Sequence, residues 1–372
     1  MASAPGSPPP VEPAPVPEAG PGRQVAIDVA RGLAVLLMIQ THAFDGWVAA
    51  AHKAHVGYGL TRVVASIPAP LFLMLAGIGL SLGAQAAAQR GKSDPAIRWA
   101  LARRGIGIVG YGYLVSAVYA AIEGRQPWAS LHAQLFRADI LHCIGLSLVL
   151  CSLLILRRTF PVARAVGLML GALLAGLALP RLVALPTSPG LAALWGLWLD
   201  VPGYTRFPLL PLLGFCALGV LVGDRLPDLR LSPRAALASM VLCATVALLA
   251  WLATRGLLGL LGGRLSRSHP AVLANFVDGA ARSLATLALA YWLAPTLPVG
   301  WLRALLRLGS ASLFAYALHI PLCYGRLAAP LSGRLSVAKA APWVLLLMAL
   351  CWGAVRLRDA LYDALRPRKT PA

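Results

Sequence analysis

The sequence predicts an all-α fold: a polytopic membrane bundle of about ten transmembrane helices, with both termini in the cytoplasm. Three observations point there. Apolar runs close to 20 residues recur along almost the whole 372-residue chain, and a run of that length crosses a hydrocarbon core of about 30 Å. Only 12% of the residues are charged and 59% are hydrophobic, whereas a soluble domain carries about 25% charged residues. The charges gather in the short segments between the runs. The 33 Lys and Arg outnumber the 13 Asp and Glu, giving +20. Such an excess can signal nucleic-acid binding. Here the cations occupy inter-helix loops, where they set topology, and no nucleic-acid partner is expected.

Taken in order, residues 1–24 are Pro-rich without an apolar core and read as a disordered tail rather than a cleaved signal peptide. Helices are expected at about 25–50, 61–88, 97–121, 138–157, 162–181, 207–222, 234–255, 279–296, 303–327 and 341–363. They form one domain, 25–366, followed by a basic tail, 367–372. The Leu- and Trp-rich stretch 189–199 reads as interfacial or re-entrant. A cytoplasmic N-terminus puts more Lys and Arg inside than outside. The chain is therefore expected to be an integral membrane protein. Cys143, Cys151, Cys216, Cys243, Cys323 and Cys351 lie in or beside apolar runs with no C-x-x-C pair. They read as free packing residues.

The first helix carries Asp28, Arg31, His42 and Asp45. Ionisable groups inside a span are costly unless they are paired or face water, so they default to function. Arg31 and His42 are eleven residues apart, roughly 16 Å of helix rise. Asp28 and Arg31, three apart, can form an ion pair on one face, as can His42 and Asp45. With the N-terminus inside, His42, Asp45, Asp139, His142 and His319 all fall toward the outer side. Arg31, Arg98, Arg103 and Arg104 gather at the inner side. Arginine forks suit phosphates; for Arg98, Arg103 and Arg104 a topogenic or lipid-contacting role stands equally open. His142 and His319 are open between structural and site roles. The pairs Gly77/Gly79 and Gly105/Gly107 read as close helix packing, and Asp278 with Arg282, four apart, as an ion pair. The His and Asp groups lack a recognisable ligand spacing, so no metal is expected.

Asp28-x-x-Arg31-Gly32 leading to His42 resembles the first helix of membrane acyltransferases, and the spacing from Arg31 to His42 is similar to that in the acyltransferase-3 family. Asp139-Ile140-Leu141-His142-Cys143-Ile144-Gly145 resembles more closely the bacterial relatives of heparan-α-glucosaminide N-acetyltransferase. So do Phe207-Pro208-Leu209-Leu210-Pro211 leading to Gly219, and Leu308-Gly309-Ser310 with Tyr316 and Leu318-His319-Ile320-Pro321. Pro70-Leu71-Phe72 leading to Gly77 also fits.

The resemblance implies transfer of an acyl group, usually acetyl from acetyl-CoA on the cytoplasmic side, to a sugar amine or hydroxyl of a saccharide or glycan at the outer side. His42 takes the expected catalytic role, as general base with Asp45 orienting it. Asp139, His142 and His319 would line the acceptor pocket. Arg31 and its neighbours would hold the donor's phosphates, although Arg98, Arg103 and Arg104 depart from the acyltransferase-3 spacing. An O-acyltransferase of an envelope or lipid-linked polysaccharide is the alternative within the class. A transporter or flippase without chemistry is the alternative outside it; the inverted repeats common in transporters are not evident.

Overall fold

The computed structural model describes residues 25–124, 127–153, 162–182, 188–226, 232–260 and 269–365. The two tails expected at 1–24 and 367–372 lie outside these residues. The described residues contain helices α1 (Val25–Trp47), α2 (Val56–Ala65), α3 (Pro68–Gln89), α4 (Asp94–Glu123), α5 (Trp128–Phe136), α6 (Ile140–Ser152) and α7 (Val162–Leu182). They continue with α8 (Pro189–Gly196), α9 (Leu209–Arg225), α10 (Pro233–Leu260), α11 (His269–Thr296), α12 (Val299–Ser310), α13 (Ser312–Cys323) and α14 (Val337–Leu365). Extended pairing among them is confined to two isolated bridges, Val48 with Leu335 and Ala138 with Thr205. The fold is all-α, as a membrane core requires when every backbone polar group must be satisfied internally.

Each of the ten expected segments overlaps one or more helices, and the one expected at 61–88 is divided between α2 and α3. Among the described residues seven helical segments are long and apolar enough to cross a membrane, α2 and α3 counting as one, and the bent pair α12–α13 makes an eighth. The other two, α6 and α9, have 13 and 17 residues. The segment expected as one helix at 303–327 is instead broken by 81° at Ala311. A Gly309-Ser310 pair precedes the break, and such pairs are a recognised cause of sharp kinks. The stretch 189–199 contains the short helix α8.

Helix α1 is the hub, packing against α2, α3, α11, α12, α13 and α14. Its N-terminal half and the residues around it form one apolar cluster with Val29, Ala30, Leu71, Met74 and Ile78; its C-terminal half joins a second with Ile39, Leu73, Cys216 and Ala315. Exposed leucines on α7, α10 and α14 (Leu174, Leu242 and Leu345, each about two-thirds exposed) make an outer apolar surface, suited to lipid. On α11, Arg282 pairs with Asp278 at 2.7 Å and also donates to the Val63 carbonyl, tying that helix to the end of α2.

Small residues set the closest crossings. A Cβ at Gly77 would fall on the carbonyl of Cys216, and one at Gly219 on the carbonyl of Met74, so α3 and α9 approach backbone to backbone. Gly105 and Gly145 do the same for α4 and α6. Without a hydrophobic drive between helices in lipid, such contact is a principal source of association. Gly107, by contrast, has open space. Gly219→Val should therefore cost at least about 1–3 kcal/mol by overpacking. Gly110→Ala, where nothing lies within 4 Å of the new Cβ, should be neutral or stabilising by up to about 1 kcal/mol. Thermal unfolding of the purified variants in detergent checks both.

Candidate active site

Arg31, Met38, His42 and Asp45 follow spacings of seven, four and three residues, which places them on one face of α1. At the N-terminal end of this face Arg31 and Asp28 form a 3.1 Å ion pair. Four residues beyond Met38, His42 meets His319 of α13. The rings stack with centroids 5.0 Å apart and planes 12° from parallel. His42 Nδ1 and His319 Nε2 are 2.7 Å apart.

The proton positions follow from the neighbours. His319 is fully buried, and its Nδ1 lies 2.8 Å from the Ala315 carbonyl oxygen. Only an N–H can face that carbonyl, so Nδ1–H donates. In a neutral ring Nε2 then carries the lone pair, and it accepts from His42 Nδ1–H. His42 Nε2 is thereby the unprotonated, basic nitrogen. The Tyr324 ring meets the His42 ring edge-on at 5.8 Å.

Asp45 has other partners. Tyr324 donates its hydroxyl to Oδ2 at 3.1 Å and Tyr58 to Oδ1 at 3.4 Å. Lys53 and Arg62 lie 3.7 and 3.9 Å from Oδ1. The carboxylate thus fixes Tyr324 against His42 at an exposed cationic end.

Asp139 caps α6. Its side chain accepts from the Ile140 amide at 2.7 Å, and its own amide donates to His142 Nδ1 at 3.2 Å. This is a capping box with histidine in the third position. Tyr316 donates its hydroxyl to the second Asp139 oxygen in a very short hydrogen bond, and its ring lies edge-on to His319 at 5.8 Å. His142 is fully buried beneath Tyr113, centroids 4.3 Å apart. It is not among the residues lining either cavity described below and holds Asp139 in place.

A cavity of about 450 Å³ adjoins this group. At one end are Arg31, Arg104 and Arg358 with Ser310 and Ser312 at the α12–α13 break; Met38 and Tyr316 lie toward the histidines. Phe72, Leu75, Ile144 and Leu148 line the apolar passage. The break opens the first turn of α13 onto the cavity, and helix N-termini offer unpaired amides and a positive dipole end to anions. Arg98 and Arg103 do not line it. A second, smaller cavity of about 50 Å³ is lined by Asp139, Arg137, Arg206 and the Tyr324 that meets the His42 ring, among others. Burial and the neighbouring Arg206 guanidinium push the pKa of Arg137 below the usual arginine value.

Sequence reasoning named His42, Asp139 and His319 but not their connections. By sequence alone Arg358, Arg137 and Arg206 read as loop or terminal charges, and Tyr316 and Tyr324 carry no mark of chemistry. Tyr316 carries the clearest missed signal, an i, i+3 relation to His319.

A bundle of membrane-spanning helices that joins two imidazoles by a hydrogen bond, close to two arginine-lined cavities, has the make-up of a membrane protein with a polar site between its helices. The profile of the family described as heparan-alpha-glucosaminide N-acetyltransferase, catalytic, matches residues 23–259, and the chain belongs to that family. It is an integral membrane transferase of the acetyltransferase class. No curated protein matches the chain. The matched stretch contains Arg31, His42, Asp45, Asp139 and His142, while His319, Tyr316 and Tyr324 lie beyond it.

The imidazole arrangement makes a spectroscopic prediction. In ¹⁵N-histidine spectra of wild type against His42→Gln, the signal lost with His42 should include a protonated Nδ1 and an unprotonated Nε2. A His42 protonated at Nε2 would exclude the assignment.

Proposed function

We propose that the protein transfers acetyl from acetyl-CoA, taken from the cytoplasmic side, to an amine or hydroxyl of a saccharide at the outer side. His42 is the general base. The observation carrying this reading is the His42–His319 hydrogen bond, whose rings meet Tyr316 of the larger cavity and Tyr324 of the smaller one.

The residues of the larger cavity suit the donor. Arg31, Arg104 and Arg358 offer fixed charge and forked donors to phosphates, and the α13 N-terminus adds its dipole. The apolar passage suits the flexible arm of CoA. Along α1 the rise from Arg31 to His42 is roughly 16 Å, of the order of that arm's length. The reading places the Arg31 end of α1 in the cytoplasm of a bacterial inner membrane, with both termini on that side. Of the arginines considered from sequence, Arg31 and Arg104 take the donor role, and Arg98 and Arg103 remain topogenic.

His42 Nε2 removes the proton from the acceptor amine or hydroxyl as it attacks the acetyl carbonyl carbon. The thioester C–S bond then breaks, and the imidazolium returns its proton to the departing thiolate. Throughout, His319 accepts from His42 Nδ1–H, which holds the ring in one tautomer and one orientation. This is the role of the third group in a nucleophile–base–orienter set, filled here by a neutral imidazole. Asp45 acts through Tyr324 as a positioning residue. Asp139 orders Tyr316 beside His319 and faces the acceptor.

The test is acetyl transfer in proteoliposomes, with acetyl-CoA on one face and glucosamine-containing or hydroxyl-only saccharides on the other. Acceptor-dependent CoA release should fall by about 10²–10⁴-fold in His42→Ala. Arg104→Gln and Arg358→Gln should raise KM for acetyl-CoA more than they lower kcat. Normal transfer by a folded His42→Ala protein would overturn the base assignment, and saccharide flux without CoA release would favour a transporter.

A further inference from the structure

The backbone holds two arginines together at the mouth of the smaller cavity. Ala138 and Thr205 form an isolated parallel bridge. The Ala138 amide donates to the Tyr204 carbonyl at 2.8 Å, and the Arg206 amide donates to the Ala138 carbonyl at 2.9 Å. Arg137 and Arg206 flank this bridge, and both line the cavity. Among the described residues neither guanidinium has a carboxylate within ion-pairing distance. The carboxylate that lines the same cavity, Asp139, is engaged by Tyr316 and the Ile140 amide. Arg206 lies over the Tyr324 ring, 5.8 Å from its centroid. Two like charges fixed side by side repel, and an anion between them removes that cost.

Next to this cationic mouth is an apolar crevice of about 120 Å³ between α4 and α13. Val115 and Tyr119 line both spaces, so the crevice continues directly from the arginines. Its other walls are Leu114, Val118, Ala317 and Pro321. Leu114 and Val118 are 57% and 53% exposed, on the outer surface of a helix that qualifies as a membrane span. The crevice therefore opens sideways, toward lipid rather than water.

Resting on the acetyltransferase reading above, we infer that the acceptor is a saccharide joined through a phosphate to a long hydrocarbon chain. Arg137 and Arg206 hold the phosphate as a two-guanidinium clamp. The α4–α13 crevice takes the first part of the chain, and the rest lies in the bilayer against Leu114 and Val118. The sugar next to the phosphate then lies beside Tyr324 and Asp139, adjacent to His42. An anionic head and an apolar tail are each required by one half of this composite site.

Binding of radiolabelled sugars to the purified full chain in phosphatidylcholine nanodiscs, without acetyl-CoA, tests the inference. The probes are glucosaminyl farnesyl phosphate, glucosamine 1-phosphate and octyl glucosaminide. The first should bind about ten-fold or more tighter than either of the others. In Arg137→Gln/Arg206→Gln the preference for the phosphorylated over the neutral amphiphile should collapse to about one. Val118→Trp, which fills the crevice, should bring the farnesyl phosphate probe down to the affinity of glucosamine 1-phosphate. Should a variant fail to fold, a wild-type series of geranyl, farnesyl and longer phosphates replaces it, with affinity expected to rise with chain length. Equal affinity for all three probes, a preference that survives the double substitution, or equally effective displacement by phosphatidylglycerol would overturn the inference. Acetyl-CoA is then added. Binding in the expected order without acetyl transfer would overturn the acetyltransferase reading alone, and transfer with no preference among acceptors would overturn this inference alone.

Discussion

Two neutral imidazoles pressed together inside an apolar bundle have few ways to satisfy their four ring nitrogens. The Ala315 carbonyl, one turn before His319, settles the matter by demanding an N–H from His319 Nδ1. That choice makes His319 Nε2 an acceptor and His42 Nδ1 a donor. Reversing either proton would set two lone pairs or two N–H groups against each other at 2.7 Å. The local geometry of α13 thus decides the protonation of a residue on α1. Other polar groups follow: Tyr316 lies between His319 and Asp139, and Asp139 in turn anchors the start of α6.

The 81° break at Ala311 makes that geometry possible. Before it, α12 runs close along α1, with Gly309 against the Asp28 carbonyl and Leu305 against Gly32. After it, α13 turns away and carries Tyr316 and His319 to the middle of the bundle. The same break leaves the first turn of α13 at the wall of the large cavity, beside Arg31 and Arg104. One interruption in one helix therefore shapes the cationic end of that cavity and delivers the second histidine.

The sequence made the helices and their apolar character legible because membrane crossing imposes one length and one composition on every span. It also exposed His42 and Asp139, since ionisable groups stand out in apolar runs. Relations between helices were harder to see. The Gly309-Ser310 pair is compatible with a kink, but nothing within the run sets its 81° angle. The partner of His42 lies 277 residues away, whereas the sequence offers only the carboxylate three residues on. That carboxylate faces Lys53, Arg62 and two tyrosines instead. Arg137 and Arg206 looked like ordinary loop charges because loop arginines also set topology. Their pairing depends on a two-residue backbone bridge, which leaves no periodic trace.

The separation of the two histidines along the chain also has a meaning in time. His42 is made with α1, whereas His319 follows 277 residues later on α13. Until then the His42 Nδ1–H has no imidazole to receive it, and the carbonyl that sets its tautomer does not yet exist. The basic nitrogen is therefore fixed only once α13 has packed against α1. A chain in which α13 has yet to pack carries His42 without the imidazole that orients it, so on the reading of His42 as the base, transfer waits for that helix.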